Sequence, residues 1–475
     1  MKRMTAILLS LCIFGSVITG CEGKKKDGSF SKEKTTTVAP ETSESAASSD
    51  APTETEPSES ISQETEGSEA SSESSETSAD QPTDPEQAKA LDLAGQHGLS
   101  EEDLKGEFSL FLKFSETVEG NSGLGDYREF VYLIFPVVAD HANYIDDEYF
   151  FDMLGMLEIK VGELSIQQSG TYDVSNVITL SETTMKDEKD ELPRVLFHEL
   201  MHFLDWTLNG MKVSVFVVDD KHMKPSDTAY LSLEEQEKVR ICPESWIVTE
   251  GGAEYLTAKY FTGAPGSYTD CVAFLTGIEY IMGEEYMDKL FFSWDTDAIF
   301  QELFFEAGYT SDQYDLASNT LNSTARSDLY DYPDEPASMD DILIDLYTHY
   351  KGGNWKEDKD FLAIIKNLNG IGLQGWRRSK NADFIGSIVY QTFEQFEKLE
   401  NAFIEDIPEE PNLKQVYPTI FMRDGKLYHG STAELTDPST GEKYHGYVTY
   451  EWDYENDKRV GYEIKSVKPI VEKYF

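Results

Sequence analysis

The sequence predicts an α+β fold, predominantly helical, that ends in a small antiparallel β module. Three observations predict it. Apolar residues recur at helical spacing in several segments between Tyr127 and Phe403. Two short β-branched runs, Leu157–Val161 and Asn176–Ser181, lie among them. Beyond Pro408 the pattern changes to strands that alternate with turn signals.

The chain begins with Lys2 and Arg3, followed by an apolar run from Thr5 to Ile18. That run has the length of a signal h-region and is too short to span a bilayer comfortably. It ends in Ile18-Thr19-Gly20-Cys21, which resembles a bacterial lipobox. Residues 1–21 are therefore expected to be a lipoprotein signal peptide, with Cys21 lipidated and the mature chain anchored to the membrane on its outer side.

Residues 22–88 are rich in Ser, Thr, Glu, Ala and Pro, and no aromatic residue follows Phe30 there. Such a segment cannot bury enough apolar surface to offset its chain entropy, so it is expected to be a disordered tether. Its root-mean-square reach is about 45 Å, enough to carry a domain through part of a cell wall. Thr35 to Ala88 holds 14 acidic residues and no Lys or Arg; subtracting them from the net charge of −49 leaves −35. The remainder is thus acidic too, which argues against nucleic acid as a partner.

Residues 89–407 are expected to form the main domain. Helical periodicity runs from Tyr127 to Leu157. Pro193 marks the first turn of a helix that stops at Asn209-Gly210, with Leu196, Leu200 and Phe203 as its buried stripe. Further helices are expected over Glu244–Tyr260, Asp270–Met282, Met339–Tyr350 and Ala382–Phe403. In residues 408–475, strands are expected at Tyr417–Phe421, Lys426–His429, Lys443–Trp452 and Val460–Ile464. Asp424-Gly425 and Thr440-Gly441 supply turns, and the module reads either as a separate unit or as an extension of the main domain. Of the four cysteines, Cys242 and Cys271 lie in the main domain, where a disulfide and two buried thiols are both open.

The chemistry-bearing segment is His198-Glu199-Leu200-Met201-His202. Histidines four apart stand on one face of a helix, so both rings can converge on one cation. Zinc suits imidazole, and Glu199 beside the first ligand can take a proton from water polarised by the metal. Asp205 lies about 10.5 Å along the axis from His198, too far to share the ion, and is expected to orient His202 from outside the coordination shell.

A third ligand is expected in Trp246-Ile247-Val248-Thr249-Glu250-Gly251-Gly252-Ala253-Glu254-Tyr255. Its two glycines let one backbone approach another, and either glutamate could reach the metal. This segment, together with the His-Glu-x-x-His helix, resembles the gluzincin metallopeptidases over roughly Val177 to Gly263. The resemblance implies a zincin-like fold with Zn2+ held by His198, His202 and Glu250, Glu199 as general base and Glu254 as a neighbouring support.

It implies an extracytoplasmic peptidase, an endopeptidase, acting on peptide or protein substrates, with Val177–Leu180 as the substrate-pairing edge strand. The alternative is an inactive peptidase-like surface lipoprotein used for binding or adhesion. Tyr347, His349 and Tyr350 are the expected candidates for stabilising an oxyanion. The His202–Glu250 interval exceeds that of the thermolysin and aminopeptidase branches, and no Gly-x-Met-Glu-Asn exopeptidase motif is present.

Overall fold

The computed structural model describes residues 84–475 except 166–167, 174, 213–214, 220, 243, 264–267, 326–337, 369–378, 386–418, 437–440, 442 and 454–457. The expected signal peptide with Cys21 and nearly all of the tether lie outside these residues, as does the expected helix beyond residue 385. The described residues belong to one compact unit, Ser78–Phe475.

Helical structure starts earlier than expected, at Pro85, because Asp84 caps it by accepting from the Glu86 N–H at 3.0 Å. α1 is Pro85–Gln96, α2 Glu101–Leu104 and α3 Phe108–Gly120. The single periodic stretch read from Tyr127 to Leu157 is in fact broken into α4 Arg128–Val131, α5 Phe135–Asp140 and α6 Asp147–Met156, joined by short 3₁₀ turns. Pro136 has no N–H to continue the preceding turn, and Asp146 caps a new start by accepting from Tyr149 N–H at 3.1 Å.

Next come β1 Glu158–Gly162, β2 Gly170–Asp173 and β3 Val177–Ser181, in the order β1-β3-β2. β1 runs parallel to β3 and β2 antiparallel to it. β3 is therefore the centre of the sheet and not the edge strand expected from sequence, and its residues Ile178 and Leu180 are fully buried. The edge that packs on the helix carrying His198 is β2, a four-residue strand whose Gly and Asp mask it in the sequence.

α7 is Glu182–Asp187 and α8 is Leu192–Thr207, with Pro193 in its first turn and Gly210 at φ 78° just beyond its end. Leu196, Leu200 and Phe203 are buried as expected, but so is nearly every other side chain of α8. After it come β4 Phe216–Val218, β5 Lys221–Met223, α9 Leu233–Gln236 and β6 Arg240–Ile241. α10, Trp246–Leu256, passes into a π-helical turn at Thr257–Phe261.

α11 Thr269–Met282, α12 Glu284–Phe292, α13 Thr296–Glu306, α14 Ser311–Ala325, α15 Met339–Tyr350 and α16 Lys359–Leu368 complete the helical part. A Cβ on Gly251 would sit 2.6 Å from Cys271 Cβ, and one on Gly252 2.2 Å from Phe291 Cε2. The glycines thus press α10 against α11 and α12, a different pair of neighbours from the metal-bearing helix expected.

The C-terminal sheet is antiparallel: β7 Thr419–Arg423, β8 Lys426–Thr436, β9 Lys443–Asp453 and β10 Lys458–Ser466, in the order β10-β9-β8-β7. Asp424 and Gly425, with φ of 50° and 72°, make the two-residue turn of the first hairpin. α17, Lys468–Tyr474, closes the chain. The sheet is bonded to the helices: Thr276 donates to the Ile420 carbonyl at 2.9 Å, Arg423 to the Lys259 carbonyl at 2.8 Å and Tyr447 to the Asp190 carbonyl at 3.2 Å. Among the described residues no helix is long and apolar enough to cross a membrane.

Candidate metal centre

α8 projects His198 and His202 from successive turns, and their Nε2 atoms lie 3.1 Å apart. α10 brings Glu250 to the same point, with Oε2 3.4 Å from His202 Nε2 and 3.7 Å from His198 Nε2. Zinc bonds of about 2.0–2.1 Å at tetrahedral angles separate neighbouring ligand atoms by about 3.3 Å. The three measured edges bracket that value, so the donor set fits one divalent cation.

Glu254, one turn further along α10, faces the other side of the same ring. Its Oε2 accepts from His198 Nδ1 at 2.9 Å, and Arg194 donates to both its oxygens at 2.8 and 3.0 Å. A proton on Nδ1 leaves the Nε2 lone pair directed at the shared point. The two glutamates thus take different positions: Glu250 among the donor atoms, Glu254 behind the imidazole.

The electrostatics favour a cation. Burial alone would push the His198 imidazole down, but hydrogen bonds and charge from Glu250 and Glu254 hold it up at about 10. Burial would raise Glu250, yet His202 and His198 outweigh it and keep this carboxylate well below its ordinary range. Glu254 is likewise held low against burial by Arg194 and His198.

Glu199 is buried, and burial pushes its pKa up against the opposing pull of both histidines. The backbone N–H of Tyr172, on β2, donates to it. A Cβ on Gly170 would lie 2.9 Å from Glu199 Oε1, so the glycine lets the strand rest on this carboxylate.

Asp205 does not take the place expected for it. Its Oδ1 pairs with Lys212 Nζ at 2.5 Å, while Oδ2 is buried with no hydrogen-bond partner among the described residues. Lys212 lies beyond the helix end and reaches back, a contact that spacing along α8 cannot reveal. Asp205 therefore ties the end of the helix to the following segment and does not bond to His202.

The expected oxyanion candidates are engaged elsewhere. Tyr347 donates to Asp358 at 2.7 Å, Tyr350 to the Leu303 carbonyl at 2.7 Å, and His349 packs edge-on against Tyr350. The phenol at the centre is Tyr268, unremarked in the sequence because it precedes α11 without a periodic pattern around it. Its ring lies parallel to His198, with centroids 5.9 Å apart. Burial raises its pKa first, followed by the charge of Glu250 and a hydrogen bond to that carboxylate. Cys242 and Cys271 are both buried free thiols.

A second His/Glu group, His97, Glu119 and Glu129, also has donor atoms close enough for one divalent cation. There His97 Nδ1 meets Glu129 at 2.9 Å and the ring stacks on Tyr132, but Glu119 and Glu129 are 49% and 42% exposed. The α8–α10 group is the better enclosed of the two. No protein family, no curated protein and no solved structure matches the chain.

Proposed function

We propose that this protein is a gluzincin-type zinc peptidase with a zincin-like fold, hydrolysing peptide bonds outside the cytoplasm, where the Cys21 lipobox would anchor it to the membrane. The observation that carries the reading is the triangle of His198 Nε2, His202 Nε2 and Glu250 Oε2, with edges of 3.1, 3.4 and 3.7 Å. A carboxylate that is not needed as a ligand, Glu199, adjoins it.

Zinc held there would supply Lewis acidity, lowering the pKa of water at the site towards 7. The remaining work falls to the chain. Glu254 and Arg194 fix the tautomer and orientation of His198. Glu199, steered by the Tyr172 N–H, accepts a proton from the attacking water and delivers it to the leaving amine. The Tyr268 hydroxyl, which bonds to Glu250 here, would turn to developing negative charge once that carboxylate serves as a ligand. Among the described strands β2 has a neighbour on one side only, and its backbone touches Glu199, so an extended peptide added to that edge would meet the general base.

The test pairs metal analysis with Glu199→Gln. Wild-type protein should bind one zinc in this centre and cleave members of a diverse peptide library. The variant should keep the zinc and lose about 10²–10⁴-fold or more in turnover. Wild-type protein that retains zinc but cleaves nothing would overturn the peptidase reading in favour of a binding role.

A further inference from the structure

One imidazole ties the interval between α8 and α10 to α13. His222, on β5, sets Nδ1 against Asp295 Oδ2 and Nε2 2.7 Å from Glu302 Oε1. Asp295 immediately precedes α13, and Glu302 lies within it. A neutral imidazole carries one N–H and one lone pair, so it can donate to one carboxylate only while its lone pair opposes the other. Imidazolium donates to both.

Other contacts also hold this segment, among them Asn322, whose Nδ2 donates to the Glu244 carbonyl at 3.2 Å. Val215, Val217 and Cys242 form a small apolar cluster with Ala298, separate from the main core, with Trp294 packed on it. Cys242 Sγ meets Gln301 Oε1 at 3.5 Å. The segment's ends matter more: Lys212 is bonded to Asp205 on α8, and Ser245 N–H donates to Asp297 Oδ1 at 2.8 Å at the start of α10.

We propose that strands β4 and β5 form a pH-operated clasp, held against α13 by protonated His222 between Asp295 and Glu302 and loosened when the imidazole loses its proton. The clasp stands whatever the metal centre does; its consequence for the centre, through Lys212 and Ser245, rests on the zinc reading above.

The charged and titratable surroundings agree with this. Facing the imidazole from α13 and its entry are Asp295 and Glu302, with Asp297 nearby. On its own hairpin Lys224 sits over the Trp294 ring and Asp219 pairs with Lys238. On and beside β6, Arg240 lies over the Phe305 ring, and the Cys242 thiol is pushed up to about 12 by burial and Asp297. From α12, Tyr286 is half-buried near Glu302, and its phenol is neutral throughout the working range. Lys224, Lys238 and Arg240 thus stack on rings or pair with other carboxylates, while Lys221 adjoins His222 on β5.

Burial pushes the His222 pKa down, but its two carboxylates outweigh it and hold the docked imidazole above the ordinary 6.5. Docking is therefore strongest below about 6.5. From there upward the opening constant rises, by at most tenfold per pH unit for one proton, until the docked imidazole itself titrates.

Hydrogen exchange on the full chain tests this, read as protection factors corrected for the intrinsic pH dependence of exchange. Amides of β4 and β5 should lose protection as pH rises above about 6.5, by at most tenfold per pH unit, while those of α8 stay constant. His222→Gln should give a segment with low, pH-independent protection. Asp295→Asn combined with Glu302→Gln should do the same with the imidazole intact, and should return its NMR titration towards 6.5. Flat wild-type protection, or a wild-type slope retained in His222→Gln, would overturn the proposal. Zinc content measured on the same samples separates the two readings: a metal-free protein with the expected slope refutes the zinc centre and leaves the clasp.

Discussion

Glu254 accepts the Nδ1 proton of His198 at 2.9 Å while its other face is closed by the buried guanidinium of Arg194. This places a charged acceptor behind an imidazole whose Nε2 faces the candidate metal position, where it raises the basicity of Nε2 and fixes the ring. Glu254→Gln keeps an oxygen for the imidazole but loses the charge. Zinc affinity is expected to fall about 10–100-fold, read by competition with a chromogenic chelator. Unchanged affinity would mean that Glu254 serves only to neutralise Arg194.

Tyr268 is the group that sequence reasoning missed, and it carries the second prediction. Tyr268→Phe keeps the ring parallel to His198 and removes the hydroxyl. On the peptidase reading kcat should fall about 10²–10³-fold with zinc affinity and KM nearly unchanged. An equal rise in KM with kcat retained would make the hydroxyl a ground-state contact.

The parts of the centre that were legible in the sequence are those fixed by local geometry. His198, Glu199 and His202 follow from helical spacing alone, and Gly-Gly beside Glu250 marked a close helix contact. What stayed hidden depends on tertiary approach. Asp205 was read as a partner of His202, but Lys212 reaches it from beyond the helix. β2 escaped notice because four residues with Gly and Asp carry no strand signal, and β3 was then taken for the edge. Between Tyr127 and Leu157 periodicity persists across Pro136, so the pattern gave the buried residues and concealed the breaks. The four C-terminal strands and the Asp424-Gly425 turn were legible from alternation, but β8 runs on to Thr436, seven residues past the expected Lys426–His429.

Gly252 gives a stability test independent of catalysis. A Cβ there meets Phe291 Cε2 and Cδ2 at 2.2 and 2.4 Å, and Phe291 is itself buried and cannot simply swing into solvent. Gly252→Ala gains helix propensity of about 1 kcal/mol but must displace the ring or separate α10 from α12. A net loss of about 1–3 kcal/mol is expected in denaturant unfolding, and a stabilised variant would show that the contact yields without cost.

Asp270 yields a prediction in pH. It lies in the first turn of α11, where the helix dipole favours a negative charge, yet its Oδ1 is buried without a hydrogen-bond partner among the described residues. Burial wins and raises its carboxyl from the ordinary 3.8 to about 7. Between those values the folded chain holds a proton that the unfolded chain has released, so this residue makes stability fall as pH rises from about 4 to about 7 and leaves the loss constant above that. Asp270→Asn cannot ionise and escapes the penalty. Its stability relative to wild type should therefore be nearly equal at pH 4 and higher by a few kcal/mol at pH 8, measured by urea unfolding at both pH values. A difference that does not change with pH would show that the carboxylate is solvated or paired when ionised.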